Sequence, residues 1–189
     1  MFKDFATALR PALVMTILFA IMLGIVYPFA MTGLSQLIFP HQANGSLLEQ
    51  DGRVIGSTVI GQAFTSDRYF QTRPSAAGKG YDGRASAGSN LGPAARPLVD
   101  RVQADVAKRR AQGVSGVMPA DLVTASGSGL DPDLSPAAAE AQVARIARVR
   151  GIAPERLGSL IAQRTETSLF GDRHVNVLAL NRALDAAAR

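Results

Sequence analysis

The sequence predicts an α+β protein in which a single N-terminal transmembrane helix precedes a small mixed α/β domain outside the cytoplasm. Three features of the 189-residue chain predict this organisation. Residues 11–39 are apolar and uncharged, residues 53–64 are rich in β-branched side chains between glycines, and the second half of the chain repeats apolar side chains at helical spacing. We therefore expect an anchor in residues 1–39 and a soluble domain in residues 40–189.

The anchor is predicted from the stretch between Arg10 and Glu49, which contains no charged residue. A helix needs roughly 20 apolar residues to cross ~30 Å of hydrocarbon, and residues 12–29 or slightly more supply them, with Pro28 expected near the end of the helix. A cleaved signal peptide would have a shorter apolar region and a small-residue cleavage pattern, which the exit side lacks. The sequence therefore predicts an uncleaved anchor.

The orientation follows from the positive charges that flank the anchor. Lys3, Arg10 and the free amino terminus lie on one side, whereas the other side has no Lys or Arg until Arg53. Positive flanks stay in the cytoplasm, and long domains translocate largely regardless of their charge. We expect a cytoplasmic N-terminus and an external C-terminal domain.

The first elements of the domain are predicted from local composition. Val54, Ile55 and Val59 indicate one or two short strands. Residues 71–97 are dense in Gly, Ser, Ala and Pro, which predicts either disorder or an interaction surface. Leu98, Val102 and Val106 then recur at helical spacing between Pro97 and Gly113, and residues 121–126 read as a further short strand.

Helices dominate the rest of the prediction. Ser135 followed by Pro136 is typical of an N-cap and first helical position. The helix up to Gly151 is expected to place Val143, Ile146 and Val149 on one side and Arg145 and Arg148 toward another. A shorter helix around Leu157, Leu160 and Ile161 follows Pro154, and residues 175–189 form a closing helix with Leu180 and Leu184 one turn apart.

Composition argues against several classes of function. The chain has no cysteine, and its only histidines are His41, expected at the membrane boundary, and His174, expected at a polar helix entry. The net charge of +5 comes from 17 Arg and 3 Lys that are scattered, without a basic stripe interleaved by aromatic residues. We expect no nucleic-acid binding, no zinc site and no histidine-based catalytic triad.

Motifs for phosphate, calcium or catalysis are weak. Gly78, Gly80 and Gly83 fit the dinucleotide template, but no strand or helix is expected around them, so a flexible loop is predicted. Asp131, Asp133 and Ser135 alternate as in a calcium loop, but Pro132 breaks that pattern. The three aspartates of this region, including Asp121, could pair as acid and base, although residues beside turns and caps more often close Asx-turns.

Several segments together resemble the family of the C subunit of Kdp-type potassium-transporting ATPases. The resemblance runs nearly end to end and is carried by the single anchor and by "GQAF", "YFQTRPSA", "SAGSNLGP", "DLVTASGSGLDPDLSP", "AQVARIARVRG" and "VNVLALNRAL". Two positions depart from the family pattern. Ala87 lies where a glycine is common and Asp133 where a histidine is common, so the roles of these two positions are in doubt.

The resemblance implies a subunit that is not an enzyme on its own and is needed for assembly of a high-affinity potassium uptake complex. Its partners would be KdpA, which holds the potassium filter, the P-type ATPase KdpB, the small KdpF, and membrane lipid. ATP and K⁺ would be handled by the complex, with no cofactor bound directly by this chain. The family is also described as raising the ATP affinity of KdpB. External loops cannot reach cytoplasmic ATP, so such an effect would need coupling through the anchor or the partner subunits.

A partner interface is predicted in two loops whose small residues let another backbone approach closely. Its residues are Ser86, Gly88, Ser89, Asn90, Ser126, Ser128, Gly129 and Asp131. Three alternatives stay open at this point: the loops are ordinary turns, the chain is an anchored periplasmic hydrolase using Ser126 or Ser128, or it is a free-standing periplasmic binding module.

Overall fold

The computed structural model describes residues 2–169 and 171–187. Two compact units are present, Met1–Leu47 and Leu48–Arg189. The first is helical and carries the one helix, among the described residues, that is long and apolar enough to cross a membrane. The second mixes helices with short strands. The predicted fold class is therefore confirmed, while the division after residue 39 stays a prediction.

The N-terminal unit consists of α1 (Phe2–Ile21), a π-helical turn (Met22–Val26), α2 (Tyr27–Ile38) and α3 (Pro40–Ala43). The π turn closes with a bond from the Tyr27 amide to the Met22 carbonyl. It ends two residues before Pro28, which has no amide to donate and whose ring would clash with the carbonyl four residues earlier in a regular helix. The helix widens there instead of ending.

The apolar helix is therefore longer than predicted. It spans Thr7–Ile38, with a mean hydropathy of 2.3, and Pro28 lies inside it rather than near its end. None of its most apolar window is buried within the chain. Its side chains are thus available to lipid or to other membrane segments.

The remaining elements alternate short strands with helices. A two-stranded sheet comes first, a three-stranded sheet forms later in the chain, and helices pack around the latter. In chain order these elements are β1 (Leu47–Gln50), β2 (Arg53–Ser57), α4 (Arg96–Ala111), a 3₁₀ turn (Ala120–Leu122), β3 (Asp133–Leu134), α5 (Pro136–Glu140), α6 (Val143–Arg150), α7 (Pro154–Arg164), β4 (Thr165–Thr167), β5 (Arg173–Asn176) and α8 (Val177–Ala187).

The three-stranded sheet is antiparallel with the order β3–β5–β4. Val175 of the central strand pairs with Leu134 on one side and Thr165 on the other, and it is fully buried. Because successive side chains of a strand alternate between faces, this sheet turns one face to the core. The core residues it meets come from the helices and from one extended segment: Phe70, Leu122, Ile146, Leu157, Ile161, Val177, Leu180 and Leu184.

Several predicted elements are confirmed. β2 occupies the β-branched segment, and α4 begins just before the predicted Pro97. The Ser135 hydroxyl accepts a bond of 3.1 Å from the Ala138 amide, as expected of an N-cap. Gly151 ends α6 with a φ of 67°, the left-handed conformation that glycine adopts readily.

Other predictions are wrong. Residues 121–126 form no strand, because a 3₁₀ turn follows Pro119 and the Thr124 hydroxyl bonds back to the Ala120 carbonyl. His174 lies in β5 rather than at a helix entry, because the Asn176 side chain accepts from the Ala179 amide and α8 begins only after it. Strands β4 and β5 were not predicted.

The helix predicted between Ser135 and Gly151 is interrupted at Gln142, whose amide bonds to the carbonyl three residues earlier. Helical periodicity also predicted the wrong surroundings for Arg145, which was expected to lie away from the apolar side of the helix. Only 4% of Arg145 is exposed, whereas Val149 is 40% exposed. The reason is that Gln142 and Arg145 both turn toward an extended segment in the core.

We call this extended stretch, residues 67–72, the tethered segment. It has no regular secondary structure, yet Phe70, Gln71 and Thr72 are buried. Two side-chain amides each bond to both the backbone N–H and the backbone carbonyl of one of its residues, as the backbone of a neighbouring strand would. Asn181 accepts from the Phe70 amide and donates to its carbonyl, both at 2.9 Å, and Gln142 does the same for Gln71 at 2.8 and 3.0 Å.

Arginines bond to the other carbonyls of the tethered segment. Arg145 donates to those of Asp67 and Tyr69, Arg109 to that of Thr72, and Arg150 to that of Arg68. All six consecutive carbonyls of the segment thus accept a bond from a side chain of a different part of the chain. Burial lowers the pKa of the Arg109 and Arg145 guanidinium groups, and the nearby acidic groups Asp105 and Asp67 oppose that shift.

Candidate functional site

The candidate interface residues lie in two loops that pack against each other. The first loop, residues 71–95, shares Gln71 and Thr72 with the tethered segment, and the second loop, residues 123–132, leads into β3. Neither contains a helix or strand, but both are held by specific bonds. The first loop is not entirely surface, because Ala77 is fully buried with Gln71 and Thr72. These three positions belong to the packed interior, which the Gly-, Ser-, Ala- and Pro-rich composition of residues 71–97 did not indicate.

Three side chains join the paired loops. Arg73 forms a half-buried ion pair with Asp131, with 2.9 Å between Nη1 and Oδ2. The Ser75 hydroxyl donates to the Gly129 carbonyl at 2.6 Å, and the Ser86 hydroxyl donates to the Ser128 carbonyl at 3.0 Å. The same Ser75 hydroxyl accepts from the Tyr81 amide at 2.8 Å, so it also closes the turn within the first loop.

Glycines allow the loop backbones to touch. Gly129 has a φ of 67°, and a Cβ placed on it would lie 2.6 Å from the Ala77 amide nitrogen and from the Ala87 carbonyl oxygen. A Cβ on Gly88 would lie 3.0 Å from the Gly127 carbonyl oxygen. At these two positions the backbone of one loop approaches the backbone of the other loop of the same chain. The immediate role of Gly88 and Gly129 is therefore to let the two loops pack together.

The "GQAF" segment supports the second loop in the same way. The Gly61 amide donates to the Leu130 carbonyl at 2.7 Å, and a Cβ on Gly61 would clash with the Asp131 carbonyl. Gly61, Arg73 and Ser75 are functional positions that sequence composition alone does not assign to the site. All three belong to the short segments that carry the family resemblance, which was the only indication of their importance. The sequence pattern did not predict that they contact the second loop.

The eight predicted interface residues differ in exposure. Ser86, Asn90 and Ser128 are exposed, and Gly129 is buried. The other four, Gly88, Ser89, Ser126 and Asp131, are half-buried. Asn90 has a φ of 51°, a conformation in which asparagine is one of the few tolerated residues with a side chain. The exposed part of the paired loops is therefore a polar surface built on a closely packed base.

The glycines of "GKGYDG" form turns, with φ values of 55° at Gly78 and 108° at Gly80. The strand before them ends at Ser57 and the next helix begins at Arg96, so these glycines do not lie between an adjacent strand and helix, as the dinucleotide template requires. The Tyr81 hydroxyl instead donates to the Arg73 carbonyl, and burial raises the pKa of Tyr81. This residue is part of the packed base of the loop.

The aspartates near the second loop serve as hydrogen-bond acceptors for backbone and side-chain groups. Asp131 accepts from the Asp133 amide, which is the predicted Asx-turn, and Asp121 accepts from the Ser135 amide. Asp133 accepts from the Asn176 side chain at 3.1 Å. Burial raises the pKa of the Asp133 carboxyl, while nearby His174 and the Asn176 bond oppose the increase.

The serines of the second loop lack the partners of a nucleophile. Ser126 Oγ lies 3.4 Å from Ser128 Oγ, and Ser128 Oγ accepts from the Leu130 amide. In residues 2–169 and 171–187, neither hydroxyl bonds to a histidine or a carboxylate. No group of three or more potential metal ligands occurs in that part of the chain either. Among the described residues, the two serines therefore have no neighbouring general base of the kind that activates a nucleophile.

Comparison with known proteins gives a family match along nearly the whole chain. A family model described as "KdpC: K+-transporting ATPase, c chain" matches residues 9–186. That range contains most of the apolar helix, the tethered segment and both loops. The similarity is therefore not confined to the membrane-spanning part.

Three relatives illustrate the similarity, and each is named "Potassium-transporting ATPase KdpC subunit". The protein of Rhodopseudomonas palustris strain BisB18 is 50% identical, with 95% of this chain and 98% of the relative aligned. The protein of Caulobacter vibrioides strain NA1000 / CB15N is 52% identical, with 94% and 92% aligned. The protein of Gemmatimonas aurantiaca is 54% identical, also with 94% and 92% aligned.

The close packing of the loops can be tested with two glycines of the second loop. Gly129→Val adds a β-branched side chain at positive φ against two backbone groups, and we expect a loss of roughly 1 to 3 kcal/mol or more in the free energy of unfolding. Gly127→Ala is the matched control, because nothing lies within 4 Å of its Cβ position and its φ is not positive. Urea denaturation of both variants measures the difference. Equal stability of the two would contradict the packing described above.

Proposed function

Because the chain belongs to the KdpC family, the c chain of K⁺-transporting ATPases, we propose that it assembles and stabilises the other subunits of the complex from a membrane anchor. The resemblance noted in its sequence is confirmed by the family match. The protein is an accessory subunit of a potassium-uptake complex.

One observation carries the proposal. The apolar helix Thr7–Ile38 has none of its most apolar window buried by the rest of the chain. A helix of this length and hydropathy is stable in a bilayer or against other membrane helices, but not in water. It attaches a unit whose described loops offer polar recognition groups and no catalytic base. Such a chain is suited to hold partners together.

We place the protein in the bacterial cytoplasmic membrane, with the N-terminus inside and the C-terminal domain outside. The support is the distribution of positive charge. Lys3 precedes the apolar helix Thr7–Ile38 and Arg10 lies in its first turn, whereas the next Lys or Arg beyond the helix is Arg53. Since short positively charged flanks stay on the cytoplasmic side, this asymmetry favours one orientation.

The proposed partners are KdpA, KdpB and the small KdpF, with membrane lipid around the anchor. The exposed polar groups of the paired loops, on Ser86, Asn90 and Ser128, are the proposed contact surface for them. Asn90 is the most informative of the three. The two serines also bond within the paired loops, whereas no hydrogen bond of the Asn90 side chain occurs among the described residues. That amide is thus available to a partner.

In this proposal ATP and K⁺ are handled by the other subunits. An increase in the ATP affinity of KdpB, if this chain causes one, would be transmitted through the anchor or through subunit contacts. A domain outside the membrane has no access to cytoplasmic nucleotide. Such coupling requires two states of the complex that this chain binds with different affinity.

The orientation predicts how protease will act on cells that express the protein. Protease added to intact spheroplasts should digest residues beyond the apolar helix, because that part is proposed to lie outside. A tag on the N-terminus should survive until the membrane is permeabilised. Immunoblotting against tags at both ends measures the two outcomes. Protection of the C-terminal tag in intact spheroplasts would disprove the orientation.

The contact surface predicts that Asn90→Gly weakens the complex without unfolding the subunit. Glycine keeps the positive φ of this position and removes only the exposed amide. We expect a loss of about 1 kcal/mol of interface hydrogen bonding, seen as reduced co-purification with the other subunits and lower K⁺-stimulated ATPase activity. Ser115→Ala, an exposed change outside both loops, is the control.

Melting curves of the variant subunits accompany this measurement. If Asn90→Gly melts normally and its complex assembles and pumps as the wild type does, this loop surface is an ordinary turn. The family role in the transport complex would stand in that case, and only the location of the interface would be rejected.

A further inference from the structure

A cleft of about 760 Å³ lies in the second unit between the tethered segment, α6, the end of α7 and α8. Four of its lining residues are arginines and one is an aspartate, Asp185. The arginines are Arg68, Arg150, Arg164 and Arg182. Clefts lined by one sign of charge concentrate ions of the opposite sign. This concentration of positive charge has no part in the packing of the paired loops.

One wall of the cleft is rigid. The Arg150 side chain is only 4% exposed, and its guanidinium lies 4.7 Å from the centre of the Tyr69 ring. Arg150 Nη2 bonds to Asp185 Oδ1 at 2.7 Å, and the Tyr69 hydroxyl donates to Asp185 Oδ2 at 3.0 Å. Arg150 Nε also donates to the Arg68 carbonyl. Both oxygens of Asp185 are therefore engaged by this wall.

The other three arginines have no such partners. Arg68, Arg164 and Arg182 are exposed, and none forms an ion pair or a side-chain hydrogen bond within the described chain. They come from three separate elements, namely the tethered segment, the last residue of α7 and the middle of α8. Like charges that line one cleft repel each other, so an anion that enters it relieves that repulsion.

We propose that this cleft binds a phosphate group, carried either by the headgroup of an anionic lipid or by a soluble phosphate anion. The planar guanidinium group matches phosphate oxygens with two parallel hydrogen bonds, which a rigid, partly apolar wall helps to orient. A phosphate offers enough acceptor oxygens for several arginines at once. The inference goes beyond the accessory role in the transport complex and does not depend on it.

The test uses the full chain in a non-ionic detergent and two probes in separate titrations. Sodium pyrophosphate represents a soluble phosphate anion, and dihexanoyl phosphatidic acid represents a lipid headgroup, with dihexanoyl phosphatidylcholine as the neutral lipid control. Calorimetry measures binding to the wild type, to R164Q/R182Q and to R53Q/R148Q. The last variant removes the same charge from exposed arginines outside the cleft.

We expect at least one probe to bind with a dissociation constant below about 1 mM and to be weakened about tenfold or more in R164Q/R182Q, with the control variant unchanged. Binding of phosphatidic acid alone assigns the cleft to lipid, and binding of pyrophosphate alone assigns it to soluble anions. Binding should also weaken as salt is added.

The proposal is overturned if neither probe binds in that range, or if R53Q/R148Q loses as much affinity as R164Q/R182Q. Melting curves show whether the variants are folded. Because Arg164 and Arg182 are exposed, no loss of structure is expected. R68Q is a second cleft variant, with a single substitution, and full retention of binding in both cleft variants would also reject the site.

Discussion

The structure of the second unit depends on one constraint: a buried extended segment without a neighbouring strand must still have its backbone hydrogen-bonded. Unpaired buried carbonyls cost about 1 to 3 kcal/mol each, so those of the buried residues Phe70, Gln71 and Thr72 without partners would remove a large share of the stability of a small domain. Side chains meet this need along the whole tethered segment. Asn181 and Gln142 each pair both backbone groups of one residue. Arginines bond to the other four carbonyls.

This arrangement explains how the proposed surface is positioned. The tethered segment binds side chains from α4, α6, α8 and the turn between α5 and α6, and it continues into the first loop. Arg73 and Ser75 follow directly and attach that loop to the second one. Phe70, fully buried at the centre of the segment, joins the same core as the three-stranded sheet. The paired loops therefore rest on the core although they contain no regular secondary structure.

Much of the fold could be predicted from local signals. The apolar helix, the Ser135 cap and the Gly151 helix end each depend on neighbours in sequence, and the structure has all three. The tethered segment could not be predicted, because its bonds join residues up to 111 positions apart. The sequence feature that could have indicated the tethered segment is the presence of polar residues on otherwise apolar helix faces. Arg109 continues the Val102 and Val106 face of α4, and Asn181 lies among buried leucines.

The contacts of the candidate site were likewise only partly predictable from the sequence. Small residues at Gly88 and Gly129 indicated a close backbone approach, but composition cannot distinguish an approach within the chain from one to a partner. Strands β4 and β5 were missed because they are only 3 and 4 residues long and rich in polar side chains. Such strands carry no strong alternation in sequence, and their pairing decides their structure.

The free energy of unfolding of N181L measures whether side chains hold the tethered segment in the core. Leucine has the same number and branching of side-chain heavy atoms as asparagine but no polar group, so it leaves the Phe70 amide and carbonyl without their partner. We expect a loss of about 2 to 5 kcal/mol in urea denaturation, against about 0.5 kcal/mol or less for Q103L on the exposed face of α4. Equal stability of the two variants would contradict it.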